Sequence, residues 1–344
     1  MILRDAWYVA ACSREIGENQ LLGRTLLDEP VVIWRTAGEA VALADRCSHR
    51  AVPLSLGRVV EGTLQCGYHG VCFDAQGACV KIPGQGLPPT ALPVRAYPLV
   101  ERHGFIWLWF GEAASADPGL IPDAHTADDP GWAAVGDRML VECAHELIVE
   151  NLNNHSHVQY VHPGIGAAGM ADTESHMERI GDTVESKHWL LNSQAPPHFA
   201  KAGNFTGPVD RWFHTTFLPP TTITLDLGCA VAGSGAPEGD RSQGVAFSQW
   251  HLITPETAAT SHYFWVYARN FALDSEAVTA QIRATAQQTF EEDRVILEAQ
   301  QRSMDRAPGA PLMNIAVDAT SIVVARVREE IAARPSRERT TAAR

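Results

Sequence analysis

Cys47-Ser48-His49 and Cys66-Gly67-Tyr68-His69, with sixteen residues between His49 and Cys66, offer two thiolates and two imidazoles. That donor set suits either of two metals. Zinc would take all four groups in one tetrahedron. A 2Fe–2S cluster with mixed ligands would split them, both Cys on one iron and both His on the other. The spacing alone leaves both open. The flanks favour the cluster. Arg50, Pro53, Leu54, Gly57, Gly67 and Gly70 surround the donors with tight-turn residues, as two loops closing over a cluster would need.

A second stretch, Glu150 to Pro163, carries His155, His157 and His162 within eight residues. A polar helix with satisfied histidines would carry no chemistry. If a metal is bound, geometry narrows the pairings. His155 and His157, two apart, point to opposite sides of a helix. His157 and His162, five apart, lie about 140° apart at 100° per residue, so a straight helix does not bring them together. Pro163 pushes His162 out of the α region. That lets His162 swing back towards His157, while Asn154 shares the face of His157. An open iron site needs a third ligand, usually a carboxylate. The apolar stripe Ile282, Ala286, Phe290 and Leu297 marks the inner face of a long downstream helix, and Asp293 falls within it. A carboxylate there is costly unless paired or metal-bound, and an arginine cap is the alternative to a metal. Glu291 and Glu292 are expected to point elsewhere.

The elements that must carry these groups fall into two parts. Residues 1 to about 112 read as short apolar strands punctuated by Gly and Pro, such as Val31–Trp34, Ala40–Leu43, Thr63–Cys66 and Phe105–Trp109, which suggests a small barrel or sandwich. Ser115–Trp132 reads as a surface connector. Met139–Ile148 reads as a strand leading into the second histidine stretch. Thr222–Leu227 alternates cleanly, and Val245–Ile253 and His262–Tyr267 are further strands. Ser275–Met304 is the longest expected helix, capped by Asp274 or Ser275. Ala319–Ala333 is another, ended by Pro335.

A length of 344 residues allows one large or two medium domains. A net charge of −13 argues against nucleic acid and anionic membranes as partners. No apolar run reaches membrane-spanning length. Met1–Asp5 has no secretory signal shape, so the expected compartment is the cytoplasm. Seven cysteines, an odd number, argue against a disulfide framework. A Cys72–Cys79 hairpin bridge is the alternative to buried free thiols.

The first donor set resembles the Rieske pattern C-x-H-x16-C-x2-H, with Ala51-Val52 where a Gly-Ala pair is common. Rieske non-haem iron oxygenases also carry N-L-x-D-x-x-H-x4-H, then a distant Asp in an E-D-K-like context. Asn151-Leu152, His157, His162 and Glu292-Asp293-Arg294 match those positions. Trp7–Ala10, Ile82–Gln85, Val209–Trp212, Thr254–Glu256 and His262–Trp265 extend the similarity to the subgroup of vanillate O-demethylase, dicamba and toluenesulfonate oxygenase components.

The resemblance implies an α+β chain. An all-β Rieske domain over 1–115 would precede a catalytic domain over 116–335, built as an antiparallel sheet flanked by helices. Residues 336–344 would form a disordered tail. Cys47, His49, Cys66 and His69 would hold a 2Fe–2S cluster, and His157, His162 and Asp293 a mononuclear Fe(II). The family has an acid where Asn154 stands, bridging His69 of one subunit to His157 of the next. His251, on the strand Ser248–Ile253, matches a substrate contact, and a hydrogen-bonded core histidine is the alternative there. The implied activity is that of a terminal oxygenase. It would use O2 to hydroxylate a methyl or methoxy group of a small aromatic acid. Other expected features are a homotrimer and a separate reductase with flavin and ferredoxin domains. NAD(P)H would act only through that reductase, because no G-x-G-x-x-G follows a strand in this chain. N-demethylation, ring hydroxylation, or a non-catalytic electron-transfer or regulatory role are the alternatives.

Overall fold

The computed structural model describes residues 1–85, 92–162 and 175–335. Pro163 and the expected tail at 336–344 lie outside the described residues. The chain divides into two compact units, one of Ile2–Ile121 with Thr254–Ala258, the other of Met1, Pro122–Ile253 and Ala259 onward.

The first unit is built from short strands: β1 (Trp7–Cys12), β2 (Leu22–Leu26), β3 (Glu29–Thr36), β4 (Glu39–Ala44), β5 (Arg58–Val60), β6 (Thr63–Gln65), β7 (Cys72–Phe73), β8 (Cys79–Lys81), β9 (Leu99–Arg102) and β10 (Phe105–Trp109). They form three antiparallel sheets in the orders β1-β10-β9, β2-β3-β4 and β5-β6-β7-β8. Strand β3 divides two cores because successive side chains point to opposite faces. Val31 and Ile33 join Tyr8, Leu26, Ile106 and Leu108 on one side. Val32 and Trp34 join Leu43, Leu54, Leu64, Phe73, Cys47 and Cys66 on the other. Both cysteines of the first donor set are therefore mounted on the second core.

The second unit begins with β11 (Ala133–Val141), followed by helices α1 (His145–Asn153) and α2 (Val158–Val161), strands β12 (Ser175–Ile180) and β13 (Thr183–Ser193), and α3 (Pro197–Gly203). Then come β14 (Val209–Leu218), β15 (Thr222–Val231), β16 (Gly244–Pro255), β17 (Ser261–Arg269), α4 (Glu276–Arg306) and α5 (Ala319–Ala333). The strands form one antiparallel sheet, β11-β17-β16-β15-β14-β13-β12. The strand expected over Met139–Ile148 is not there as such. Strand β11 ends at Val141, and Leu147, Ile148, Val149 and Leu152 are the buried side of α1. Their spacing suits a helical stripe, which an apolar run read by content alone does not reveal. Helix α4 opens where expected, with the Ser275 hydroxyl accepting from Val278 N at 3.4 Å. It buries Ala286, Phe290, Asp293 and Leu297.

Candidate metal centres and their surroundings

The two cysteine loops are near copies of one another. Cys47 N donates to Val52 O at 2.9 Å and Ala51 N to Cys47 O at 2.8 Å; Cys66 N donates to Val71 O at 2.8 Å and Gly70 N to Cys66 O at 3.1 Å. Four residues after each cysteine the backbone turns left-handed, at φ +60° for Ala51 and +70° for Gly70. Glycine is at ease there and alanine is strained. The common Gly at position 51 is thus a conformational need that Ala51 meets at a cost.

Cys47 and Cys66 are 2% and 3% exposed, whereas His49 and His69 are exposed with ring centroids 4.8 Å apart. Burial, with the neighbouring Cys66 adding to it, pushes the Cys47 thiol up. A buried thiol pair of this kind ionises readily only against a metal charge. The four donors form a buried sulfur pair and an exposed imidazole pair, as the split ligation of a 2Fe–2S cluster needs. Among the described residues, the group that brings three donors within 4.8 Å of one another lies elsewhere.

That group is His157, His162 and Asp293. Asp293 Oδ1 lies 3.5 Å from His157 Nε2 and 3.2 Å from His162 Nε2. Donors at right angles around a metal, each about 2.1 Å away, are about 3 Å apart. The trio therefore fits one face of an iron ion. Asn154 breaks the helix at φ −123°, ψ 92°, and a 3-10 turn over His155–His157 follows. His162 ends α2 at φ −117°, ψ 71°, out of the α region as the following proline requires.

Both imidazoles are held from behind, which aims Nε2 at the metal position. His157 Nδ1 meets Asn154 O at 2.5 Å, and His162 Nδ1 meets Glu292 Oε2 at 2.9 Å. Burial drives His157 towards the neutral form, and Asp293 opposes it only in part. His162 is also penalised by burial, but Asp293 and Glu292 outweigh that and raise it. Asn151 Nδ2 donates to Asp293 Oδ1 at 3.1 Å, which orients the carboxylate. No arginine caps Asp293 among the described residues; Arg294 pairs with Glu291 and Glu298.

Two expectations need correction. Glu292 does not point away: its second methylene carries the carboxylate round the helix to His162, and Gln288 Nε2 holds the other oxygen at 3.0 Å. The side chain of Asn154 is not the partner of His157 either. Its amide oxygen accepts from Ser156 N at 3.2 Å and Ser156 Oγ at 2.6 Å, while its backbone carbonyl faces the imidazole.

On the sheet, His251 of β16 packs its ring on Phe290, one turn before Asp293 on α4. His251 is 1% exposed, with Nδ1 2.6 Å from the Tyr263 hydroxyl and Nε2 buried without a partner. Burial pushes it down to about 3, so it is neutral. His155, which the sequence leaves unassigned, is likewise held neutral by burial and meets Thr215 Oγ1 at 3.2 Å.

A buried-sulfur, exposed-imidazole donor set and a separate two-histidine, one-carboxylate face are the donor sets that a multi-centre iron oxygenase needs. Comparison with known families agrees. Residues 6–98 match the Rieske [2Fe-2S] domain, and residues 141–334 match the vanillate O-demethylase oxygenase C-terminal domain. A putative toluene-4-sulfonate monooxygenase system iron-sulfur subunit of Comamonas testosteroni is 41% identical, covering 93% of this chain and 94% of its own. The dicamba O-demethylase oxygenase component of Stenotrophomonas maltophilia is 36% identical, over 96% of this chain and 97% of its own. Crystallised dicamba monooxygenase bound to 3,6-dichlorosalicylic acid superposes with a TM-score of 0.88 at 34% identity, over 96% of this chain and 99% of that one. The chain belongs to the Rieske non-haem iron oxygenases, as an oxygenase component that uses a Rieske 2Fe–2S cluster and a mononuclear iron. The α+β fold follows that of the dicamba enzyme.

Proposed function

We propose that this oxygenase hydroxylates a methyl or methoxy carbon of a small aromatic acid. The observation that carries the reading is the His157–His162–Asp293 face together with the buried, unpartnered His251 Nε2, whose ring packs on Phe290, one turn before Asp293 on α4. An unpaired buried nitrogen is costly unless something fills it, and a polar group of the substrate would do so. His157, His162 and Asp293 would hold Fe(II), and Cys47, His49, Cys66 and His69 the cluster. Bound iron, supplied with electrons by the cluster, would activate O2 for insertion into a C–H bond. For a methoxy group, O2, two electrons and two protons give the hemiacetal and water. The hemiacetal then breaks its C–O bond to a phenol and formaldehyde. The relatives' substrates, toluenesulfonate, vanillate and dicamba by name, support this class.

We read the cluster domain as 1–115 and the iron domain as 116–335, close to the division of the compact units near Ile121. The assembly is read as a homotrimer in the cytoplasm, served by a reductase with flavin and ferredoxin domains. Exposed apolar side chains beside both centres support assembly. Leu56 and Tyr68, 71% and 63% exposed, flank the cluster histidines, and Tyr160, 81% exposed, lies in the iron loop itself. No helix among the described residues is long and apolar enough to cross a membrane.

The test is oxygen uptake coupled to formaldehyde release (methoxy substrates) or benzylic alcohol formation (methyl substrates) by iron-loaded protein with a flavin–ferredoxin reductase and NADH. The panel holds methoxybenzoates, methylbenzoates and methylbenzenesulfonates, with neutral N-alkyl compounds beside them. Uptake coupled to product with at least one acid is expected. Uptake with neutral N-alkyl compounds alone would overturn the substrate class, and none with any would overturn the reading.

A further inference from the structure

We propose that Asp318 is a positioning residue of the iron site, whose carboxylate holds the Asn154 amide and supplies the negative charge that position 154 lacks. This rests on the reading of His157 as an iron ligand. Asn154 Nδ2 donates to Asp318 Oδ1 at 2.8 Å. The other carboxylate oxygen accepts from Ile315 N at 2.8 Å, so Asp318 is fixed at both oxygens. It immediately precedes α5, where the helix dipole favours a negative charge. Ser321 Oγ adds a second tie, donating to Glu150 O at 3.2 Å near the end of α1.

These bonds decide where every other atom of Asn154 goes. With the amide nitrogen on Asp318, the amide oxygen is turned to Ser156 N and Oγ. That pins the 3-10 turn over His155–His157. The turn in turn leaves the Asn154 carbonyl facing His157 Nδ1. The path runs carboxylate, amide, turn, imidazole. An amide is the group for this place because it donates and accepts at once, whereas a carboxylate only accepts. An acid at 154 would also set two like charges against each other. The charge has moved one hydrogen bond outward, from position 154 to the start of the C-terminal helix.

The experiment measures Fe(II) affinity of full-length, cluster-loaded protein by chelator competition, with the cluster absorbance as an internal record of folding. Asp318→Asn and Asn154→Asp should each weaken Fe(II) binding about tenfold, the lower end for residues that orient a metal ligand. The double exchange again sets a donor amide opposite a carboxylate. It should recover affinity to within about threefold of the parent, a non-additivity expected only of directly coupled residues. Native affinity in Asp318→Asn, or an exchange no better than the single variants, overturns the inference. His157→Ala is measured in the same series and should lose the iron. If it keeps the iron, the site reading fails and this inference with it. Loss in His157→Ala with full retention in Asp318→Asn overturns the inference alone.

Discussion

Replacing Glu292 by Gln should weaken iron retention although Glu292 is not a ligand. Its carboxylate accepts a hydrogen bond from His162 Nδ1 at 2.9 Å, and that bond holds the Glu292 carboxyl below its usual range. Glutamine keeps an oxygen acceptor at the same reach, so the imidazole stays aimed and only the charge is lost. A charge-assisted hydrogen bond contributes ~1.5–3 kcal/mol and a neutral one ~0.5–1.5. The difference is ~1–1.5 kcal/mol, trimmed by solvent because the side chain is 27% exposed. About 1 kcal/mol remains, a five- to tenfold rise in the Fe(II) dissociation constant. Glu291→Gln is the control: Glu291 pairs with Arg294 and is 55% exposed. Chelator competition on both variants, with the cluster spectrum monitored alongside, reads the effect. Equal affinities in the two variants would refute the reasoning.

Other changes follow from the same geometry. Asp293→Asn should leave the protein with a full complement of cluster and little mononuclear iron, read as iron per acid-labile sulfide. His157→Ala should abolish turnover while the reduced cluster keeps its EPR signal. Ala51→Gly relieves a left-handed alanine worth ~1–2 kcal/mol against ~0.4–1 kcal/mol of added unfolded-state entropy; urea unfolding followed by cluster bleaching should show a net gain of up to about 1.5 kcal/mol. Burial lowers His214 to about 4, so as pH falls the unfolded chain takes up that proton first. The stability it contributes is whole above about pH 6.5 and is lost by about pH 4, roughly 3 kcal/mol in all, and His214→Phe should flatten that part of the pH profile of unfolding.

Much of the scaffold is legible in the sequence because its signals are local. Alternation in Thr222–Leu227 marks part of β15, which runs to Val231. The Ser275 cap starts α4, and the stretch Ala319–Ala333 is the α5 observed. The Asp293 position is legible for a related reason. Aspartate is short, so its carboxylate lies where the Cα–Cβ bond points, and helical period gives that direction. Met139–Ile148 is misread because apolar side chains lie on both sides of a strand end and a helix start, and only the short bend at Glu142–Ala144 separates them.

What period does not give is the partner of a longer or differently armed side chain. Glu292 sits about 100° round the helix from Asp293, and one extra methylene still brings it to His162. A face-by-face reading therefore finds the ligand and discards the group that orients the ligand's neighbour. Asn154 fails in the opposite way. Judged against an acid, it is a loss of charge. Judged by its own chemistry, it gains a donor, and a part-buried donor needs an acceptor. That acceptor, Asp318, lies 164 residues along the chain. No local pattern connects the two positions. Substituting an amide for an acid near a metal ligand is thus better treated as a search for a displaced carboxylate than as evidence of a weakened site.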